Sequence, residues 1–72
     1  MEKGILYNVV LRGGDGTPVG QIKDNRWYEL GKSWGFDIPA SGVFVYGNGK
    51  ARIEGLSLTR EDDGQVFDLV PA

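Results

Sequence analysis

The sequence predicts a mainly β fold with about five antiparallel strands in sequential hairpins, forming a compact sheet or partly open barrel. Two observations carry this prediction. Apolar residues alternate along several short stretches, and two dipeptides that favour tight turns, Asn48-Gly49 and Asp63-Gly64, separate some of them. The 72 residues contain no internal repeat or linker, so we expect one small domain over 1–72.

The strongest hairpin signal lies in residues 43–58. A two-residue Asn48-Gly49 loop would pair Tyr46 with Ala51 and Phe44 with Ile53, so that these four side chains share one face. The apolar phase slips after Gly55, which predicts a bulge or a sharp bend in the second strand at that glycine.

A second hairpin is predicted around Asp63-Gly64. Folding about this dipeptide sets Leu58 against Leu69 and Arg60 against Phe67. The face that closes the core would then contain four apolar residues: Leu56, Leu58, Phe67 and Leu69.

The chain begins with a predicted strand over 4–12, whose face of Ile5, Tyr7, Val9 and Leu11 is apolar. Three glycines and a proline over 13–18 predict a turn, and a short strand follows over 19–23.

Residues 24–35 allow two interpretations. Trp27, Leu30 and Trp34 have the spacing of one helical face, and Asp24 or Asn25 could cap a short helix that Gly35 would end. Alternatively, Asp24-Asn25 is a turn and 26–30 is a strand. We favour the helix, and we expect Phe36 and Ile38, which follow it, to fill the core.

Composition excludes several kinds of catalysis. The chain has no histidine and no cysteine, so it lacks Ser-His and Cys-His nucleophile pairs and imidazole or thiolate metal sites. The acidic run 61–63 does not have the ligand order of an EF-hand, and the glycine-rich segments do not match phosphate-binding loops. We therefore expect no enzymatic activity, no cofactor and no metal.

Location and assembly are predicted from charge and hydropathy. The net charge is −2, and no apolar run approaches the roughly 20 residues that a spanning helix needs. A cytoplasmic protein with no membrane association is the default expectation. A domain this small lacks disulfide or zinc support, so a homo-oligomer or a partner complex is a reasonable hypothesis.

The candidate binding residues come from an aromatic enrichment. Of the aromatic side chains, six fall within residues 27–46, with basic residues interleaved. Clustered Trp, Tyr and Arg are typical of protein-binding hot spots, although the simpler interpretation is that these rings fill the core and its rim. The leading hypothesis is a non-catalytic interaction module or small subunit whose protein-binding patch contains Trp27, Tyr28, Trp34, Tyr46, Arg26 and Arg52.

Nucleic acid is the alternative partner. The same rings, with Arg26, Lys32, Lys50 and Arg52, could form a stacking surface for single strands on a small barrel. Residues 26–58 also loosely resemble the swapped-hairpin DNA-binding domains of AbrB and MazE-type antitoxins, in the segments Glu29-Leu30-Gly31, Trp34-Gly35-Phe36 and Gly49-Lys50-Ala51-Arg52-Ile53. The resemblance implies a short helix before a DNA-binding hairpin. The basic strand of that family and its Ile-Pro entry to the helix are missing here, so no functional residues are carried over.

Overall fold

The computed structural model describes residues 2–31, 35–46 and 49–72, which contain eight β-strands and no helix. The strands are β1 (Tyr7–Leu11), β2 (Pro18–Lys23), β3 (Arg26–Glu29), β4 (Gly35–Asp37), β5 (Val43–Tyr46), β6 (Gly49–Glu54), β7 (Ser57–Arg60) and β8 (Val66–Pro71). The mainly β prediction is confirmed. The number of strands exceeds the predicted five because β3 and β4 were not among those five, and because a turn at Gly55 divides one predicted strand into β6 and β7.

All eight strands form one antiparallel sheet in the order β4-β3-β2-β1-β8-β7-β6-β5. The first four strands make one meander, the last four make another, and β1 pairs with β8 to join them. The sheet curls into a half-barrel. Its two edge strands, β4 and β5, are consecutive in the chain but are not neighbours in the sheet.

The helix predicted over 24–35 is wrong for its described part. Asp24 (φ 53°) and Asn25 (φ 61°) both have positive φ, and they join Lys23 to its partner Arg26, as in a two-residue type I′ hairpin. The alternative interpretation, a turn followed by a strand, is therefore confirmed. In β3, Trp27 is buried and Tyr28 is exposed, which is the alternation of a strand.

The hairpin around Asn48 exists, but its pairing register differs from the predicted one by two residues. Tyr46 pairs with Gly49 and Phe44 with Ala51, so the loop consists of residues 47–48, which lie outside the described residues. Gly49 belongs to β6, where a side chain would meet Asp62, since an added Cβ would lie 2.7 Å from the Asp62 Cβ. A shift of two residues keeps every side chain on its face. Phe44, Ala51, Tyr46 and Ile53 accordingly all contribute to the core.

Gly55 does not bend one long strand, as was predicted. It has φ 58° and forms, with Leu56, a two-residue turn between the paired residues Glu54 and Ser57. Glycine at the first position of such a turn is typical of type II′. Leu56 was expected in the core, but its place in this turn leaves it 48% exposed.

The second predicted hairpin is also shifted by two residues. Leu58 pairs with Phe67, so the loop is longer than Asp63-Gly64 and extends over 61–65. Within it, the Gly64 amide donates to the Arg60 carbonyl at 2.9 Å. The inner face is again preserved, because Leu58, Phe67 and Leu69 are all buried.

The core lies on the concave face of the sheet. Its buried residues are Tyr7, Val9, Ile22, Trp27, Ile38, Phe44, Ala51, Leu58, Phe67 and Leu69. The first predicted strand face and the core role of Ile38 and Phe36 are thereby confirmed. No helix in the described part of the chain is long and apolar enough to cross a membrane.

Candidate interaction surface

The structure separates the predicted binding residues. Trp27 is buried on the concave face, where Tyr46 of β5 meets its ring edge-on at 5.1 Å. Tyr28 lies on the convex face, with the Arg26 guanidinium 5.9 Å from its ring centre. Arg52 is exposed on the opposite half of the sheet, in β6. Trp34 lies outside the described residues.

Five rings form an aromatic cluster inside the open side of the half-barrel: Trp27, Phe36, Phe44, Tyr46 and Phe67. Phe36 of β4 stacks on Trp27, and its ring centre is 5.7 Å from that of Phe44 in β5. The two edge strands are therefore held near one another by side chains. Within the described ranges, no backbone hydrogen bond joins β4 to β5. We call the space between these two strands the seam.

The main-chain groups of β5 alternate between β6 and the seam. The Ile53 amide donates to the Gly42 carbonyl at 2.9 Å, which fixes Gly42, Phe44 and Tyr46 as the residues bonded to β6. Val43 and Val45 must then direct their amide and carbonyl groups into the seam. The Val43 amide donates to the Ser41 hydroxyl at 3.4 Å, whereas Val45 makes no hydrogen bond to the described residues.

Val45 is also the most exposed large apolar side chain among the described residues, at 69%. Exposed sheet edges are normally protected by charged residues, proline or a bulge. The sequence contains no charged residue from 38 to 49, so β5 has no charged side chain to protect its edge. Val45 was not predicted as a site residue, because nothing in the local sequence identifies a strand as an edge. The uncharged stretch was the one signal that could have indicated it.

The convex surface beside β5 carries both cations and carboxylates. Lys50 is the cross-strand neighbour of Val45, and Arg52 is the neighbour of Val43. Arg52 lies 3.7 Å from a Glu54 oxygen and 3.5 Å from a Glu61 oxygen. Lys50 has no such carboxylate among the described residues. Lys50 is thus a cation next to an unpaired strand edge.

The Arg60 side chain lies over the aromatic cluster at Tyr46. The Arg60 guanidinium lies 5.1 Å from the Tyr46 ring centre and donates to Asp62 at 2.8 Å. This hydrogen bond holds the pKa of Asp62 below its usual value. Burial, together with the negative charge of Glu29, raises the pKa of Tyr46. Glu29 in turn accepts a 3.0 Å hydrogen bond from the Trp27 indole.

The depressed pKa of Asp62 predicts acid sensitivity. A carboxyl whose folded pKa lies below its unfolded value stabilises the fold above the unfolded value, and this contribution is lost as pH falls through the folded pKa. We expect the urea midpoint of the wild type to fall between about pH 5 and pH 2. Asp62→Asn should make that fall shallower.

Arg60→Met provides the matched control, since it removes the donor while leaving the carboxyl in place. The two substitutions should flatten the pH dependence by similar amounts, and the double variant by no more than either. Asp68, whose pKa Arg12 lowers through a hydrogen bond, should retain its own contribution in all three variants. A full wild-type slope in Asp62→Asn would contradict the prediction.

Two open grooves occur on the described surface. One groove of about 340 Å³ is lined by Arg52, Glu54, Thr59 and Glu61, and a second of about 200 Å³ lies beside residues 38–42. No cluster of three or more metal-ligating side chains occurs in the residues that the structure describes. Comparison with protein-family models, with characterised proteins and with solved structures finds no match to this chain.

Proposed function

We propose that this protein is a non-catalytic interaction module that binds an extended segment of a protein partner along the β5 edge. The observation that carries the proposal is the state of that edge. Val45 directs an amide and a carbonyl into the seam that make no hydrogen bond to the described residues, and its side chain is 69% exposed on a strand without charge. A cytoplasmic location is part of the proposal and remains a prediction from the sequence.

Strand addition supplies the binding mechanism. An extended segment antiparallel to β5 would exchange main-chain hydrogen bonds with Val45 and would replace the Ser41 hydroxyl as the acceptor for the Val43 amide, while its alternate side chains contact the two faces. The aromatic cluster supports the edge from inside, because Phe44 and Tyr46 hold β5 against Trp27. Trp27 and Tyr46, which belong to the predicted patch and lie in this cluster, thereby position the binding strand.

The arrangement of charge favours protein over single-stranded nucleic acid. Arg26 forms a 2.9 Å ion pair with Asp37, and Arg52 lies between two glutamates. These arginines are on opposite halves of the sheet, and the chain has a net charge of −2. A backbone-tracking groove for nucleic acid requires a continuous positive surface.

Val45→Pro tests the proposal because it removes the main-chain donor that faces the seam. The Val45 amide is not bonded to β6, and proline is tolerated on an edge strand when its missing amide faces outward. We expect affinity capture from the native host to recover a partner with the wild type and to lose it with Val45→Pro. Circular dichroism and urea denaturation would establish that the variant is folded.

Val45→Thr is the matched control, since it keeps the amide and a β-branched side chain. Capture of the same partner by wild type and Val45→Thr, with loss in Val45→Pro, would support strand addition. A partner retained equally by folded Val45→Pro would overturn it.

A further inference from the structure

The seam restricts what can pair with β5. A strand that pairs with β5 lies about 4.8 Å from it, and the next strand of any sheet lies about twice as far away. The Phe36 ring of β4 already contacts Phe44 of β5, so β4 flanks the seam on its other side. If β5 of a second copy paired with this β5, the β6 of that copy would lie one strand further out, in the position that β4 occupies. A single extended segment has no further strand beside it and therefore does not need that position.

The chemistry on the two faces of the seam specifies the side chains of that segment. Toward the concave face, the added strand would contact the rings of Phe36 and Phe44, which favours small apolar residues. Toward the convex face, its side chains would lie beside Val43 and Val45, with Lys50 and Arg52 one strand further on. Long acidic side chains would complement Lys50, whereas Arg52 already lies beside Glu54 and Glu61.

Among the described residues on the β4 side of the seam, the charges are balanced. Asp37 of β4 is largely exposed, but it is ion-paired with Arg26 at 2.9 Å. Asp37 also lies next to the connection that leads to Val43, whereas Lys50 lies beside Val45, further along β5. An acidic residue near Val45 therefore faces Lys50 without directly facing Asp37.

We infer that the occupant of the seam is an extended protein segment of alternating apolar and acidic residues, antiparallel to β5. This inference rests on the proposed function and adds the chemical class of the partner. Lys50 is the residue that distinguishes an acidic segment from a neutral one, because it forms no ion pair among the described residues. Glu61 is its neighbour on the side away from β5, where the Glu61 amide donates to the Lys50 carbonyl at 2.8 Å, but the Glu61 carboxylate lies 3.5 Å from Arg52.

Three synthetic hexapeptides test the inference on the full chain. Each is blocked at both ends and alternates valine with glutamate, threonine or lysine. Titration of the isotope-labelled protein by NMR would give an affinity for each peptide and would locate binding at the Val43 and Val45 amides. We expect the glutamate peptide to bind about threefold to tenfold more tightly than the threonine peptide, and the lysine peptide to bind least.

Lys50→Ala should remove most of the preference for glutamate over threonine. Lys23→Ala is the control, since Lys23 is an exposed lysine at the far end of β2, and it should leave the preference unchanged. Raising the salt from 0.15 M to 1 M should shrink the preference in the wild type, as the Debye length falls from about 8 Å to about 3 Å.

The outcomes separate the inference from the proposed function. Equal binding of all three peptides at the β5 amides would overturn the acidic class and leave strand addition standing. Failure of all three to bind would overturn the inference, while the Val45→Pro capture experiment would still decide the function. A dimer in sedimentation that Val45→Pro dissociates would make a second copy the occupant and would also overturn the inference.

Discussion

Replacing Trp27 by alanine is expected to lower the free energy of unfolding by about 3–5 kcal/mol. The indole is 2% exposed, and its ring stacks on Phe36 while contacting Phe44 and Tyr46. These partners belong to both edges of the sheet, so the indole links the first meander to the second across the concave face. A chain of 72 residues has a stability of about 4–11 kcal/mol, and the loss would therefore remove a large part of it.

Urea denaturation of wild type and variant would measure this effect, with Tyr28→Ala as the matched control. Tyr28 is the next residue in β3, but it is 38% exposed on the convex face. Its truncation should cost less, because more than a third of its surface stays in water in the folded state and its ring lies on the face opposite the aromatic cluster. Similar losses for the two variants would show that the aromatic cluster does not hold the edges together. If Trp27→Ala is unfolded at 25 °C, its complete loss of cooperative unfolding agrees with the prediction.

The inner faces of the strands could be predicted from sequence because side chains alternate with a period of two. Tyr7, Val9, Leu58, Phe67 and Leu69 were all assigned to the core from this period, and all are buried. The pairing registers of two hairpins were nevertheless wrong by two residues. Such a shift leaves the alternation unchanged, so the apolar pattern contains no information that would detect it.

The prediction of a helix over 24–35 was wrong, in its described part, for a different physical reason. Leu30 was expected on a buried helical face with Trp27, but it lies in a turn and is 40% exposed. The spacing of three apolar residues fitted a helix, while Asp24-Asn25 also fitted a type I′ turn. Pairing of Ile22 with Trp27 across the sheet decides between them, and this contact is not visible in a local pattern.

The candidate site was only partly predictable. The sequence identified an aromatic concentration, and the structure brings Trp27 and Tyr46 into contact, but it places Tyr28, Arg26 and Arg52 on the convex face. Which side chains of β3 enter the core depends on the curl of the sheet. Similarly, β5 is an edge because β4, the preceding strand, does not pair with it. The two meanders are joined instead through β1 and β8, by contacts between residues about sixty positions apart in the chain.

Gly20→Ala is expected to destabilise the protein by about 1–3 kcal/mol, although alanine is normally preferred to glycine within a strand. Gly20 of β2 lies directly against the indole of Trp27. An added Cβ would be 2.3 Å from the Trp27 Cζ2 and 2.8 Å from its Cη2. The ring cannot move aside without disturbing its contacts with Phe36, Phe44 and Tyr46. The steric cost therefore exceeds the gain of about 0.5–1 kcal/mol from removing a glycine.

A double-mutant cycle with Trp27→Phe distinguishes this clash from a general cost at Gly20. Phenylalanine lacks the outer part of the indole that the new Cβ would meet, so it destabilises the core by itself but leaves room for a methyl group. In the Trp27→Phe background, Gly20→Ala should cost little or become stabilising. The coupling free energy from urea denaturation should then reach at least about 1 kcal/mol, as is typical of residues in direct contact. Additive losses would show that Gly20 is required for a backbone reason unrelated to Trp27.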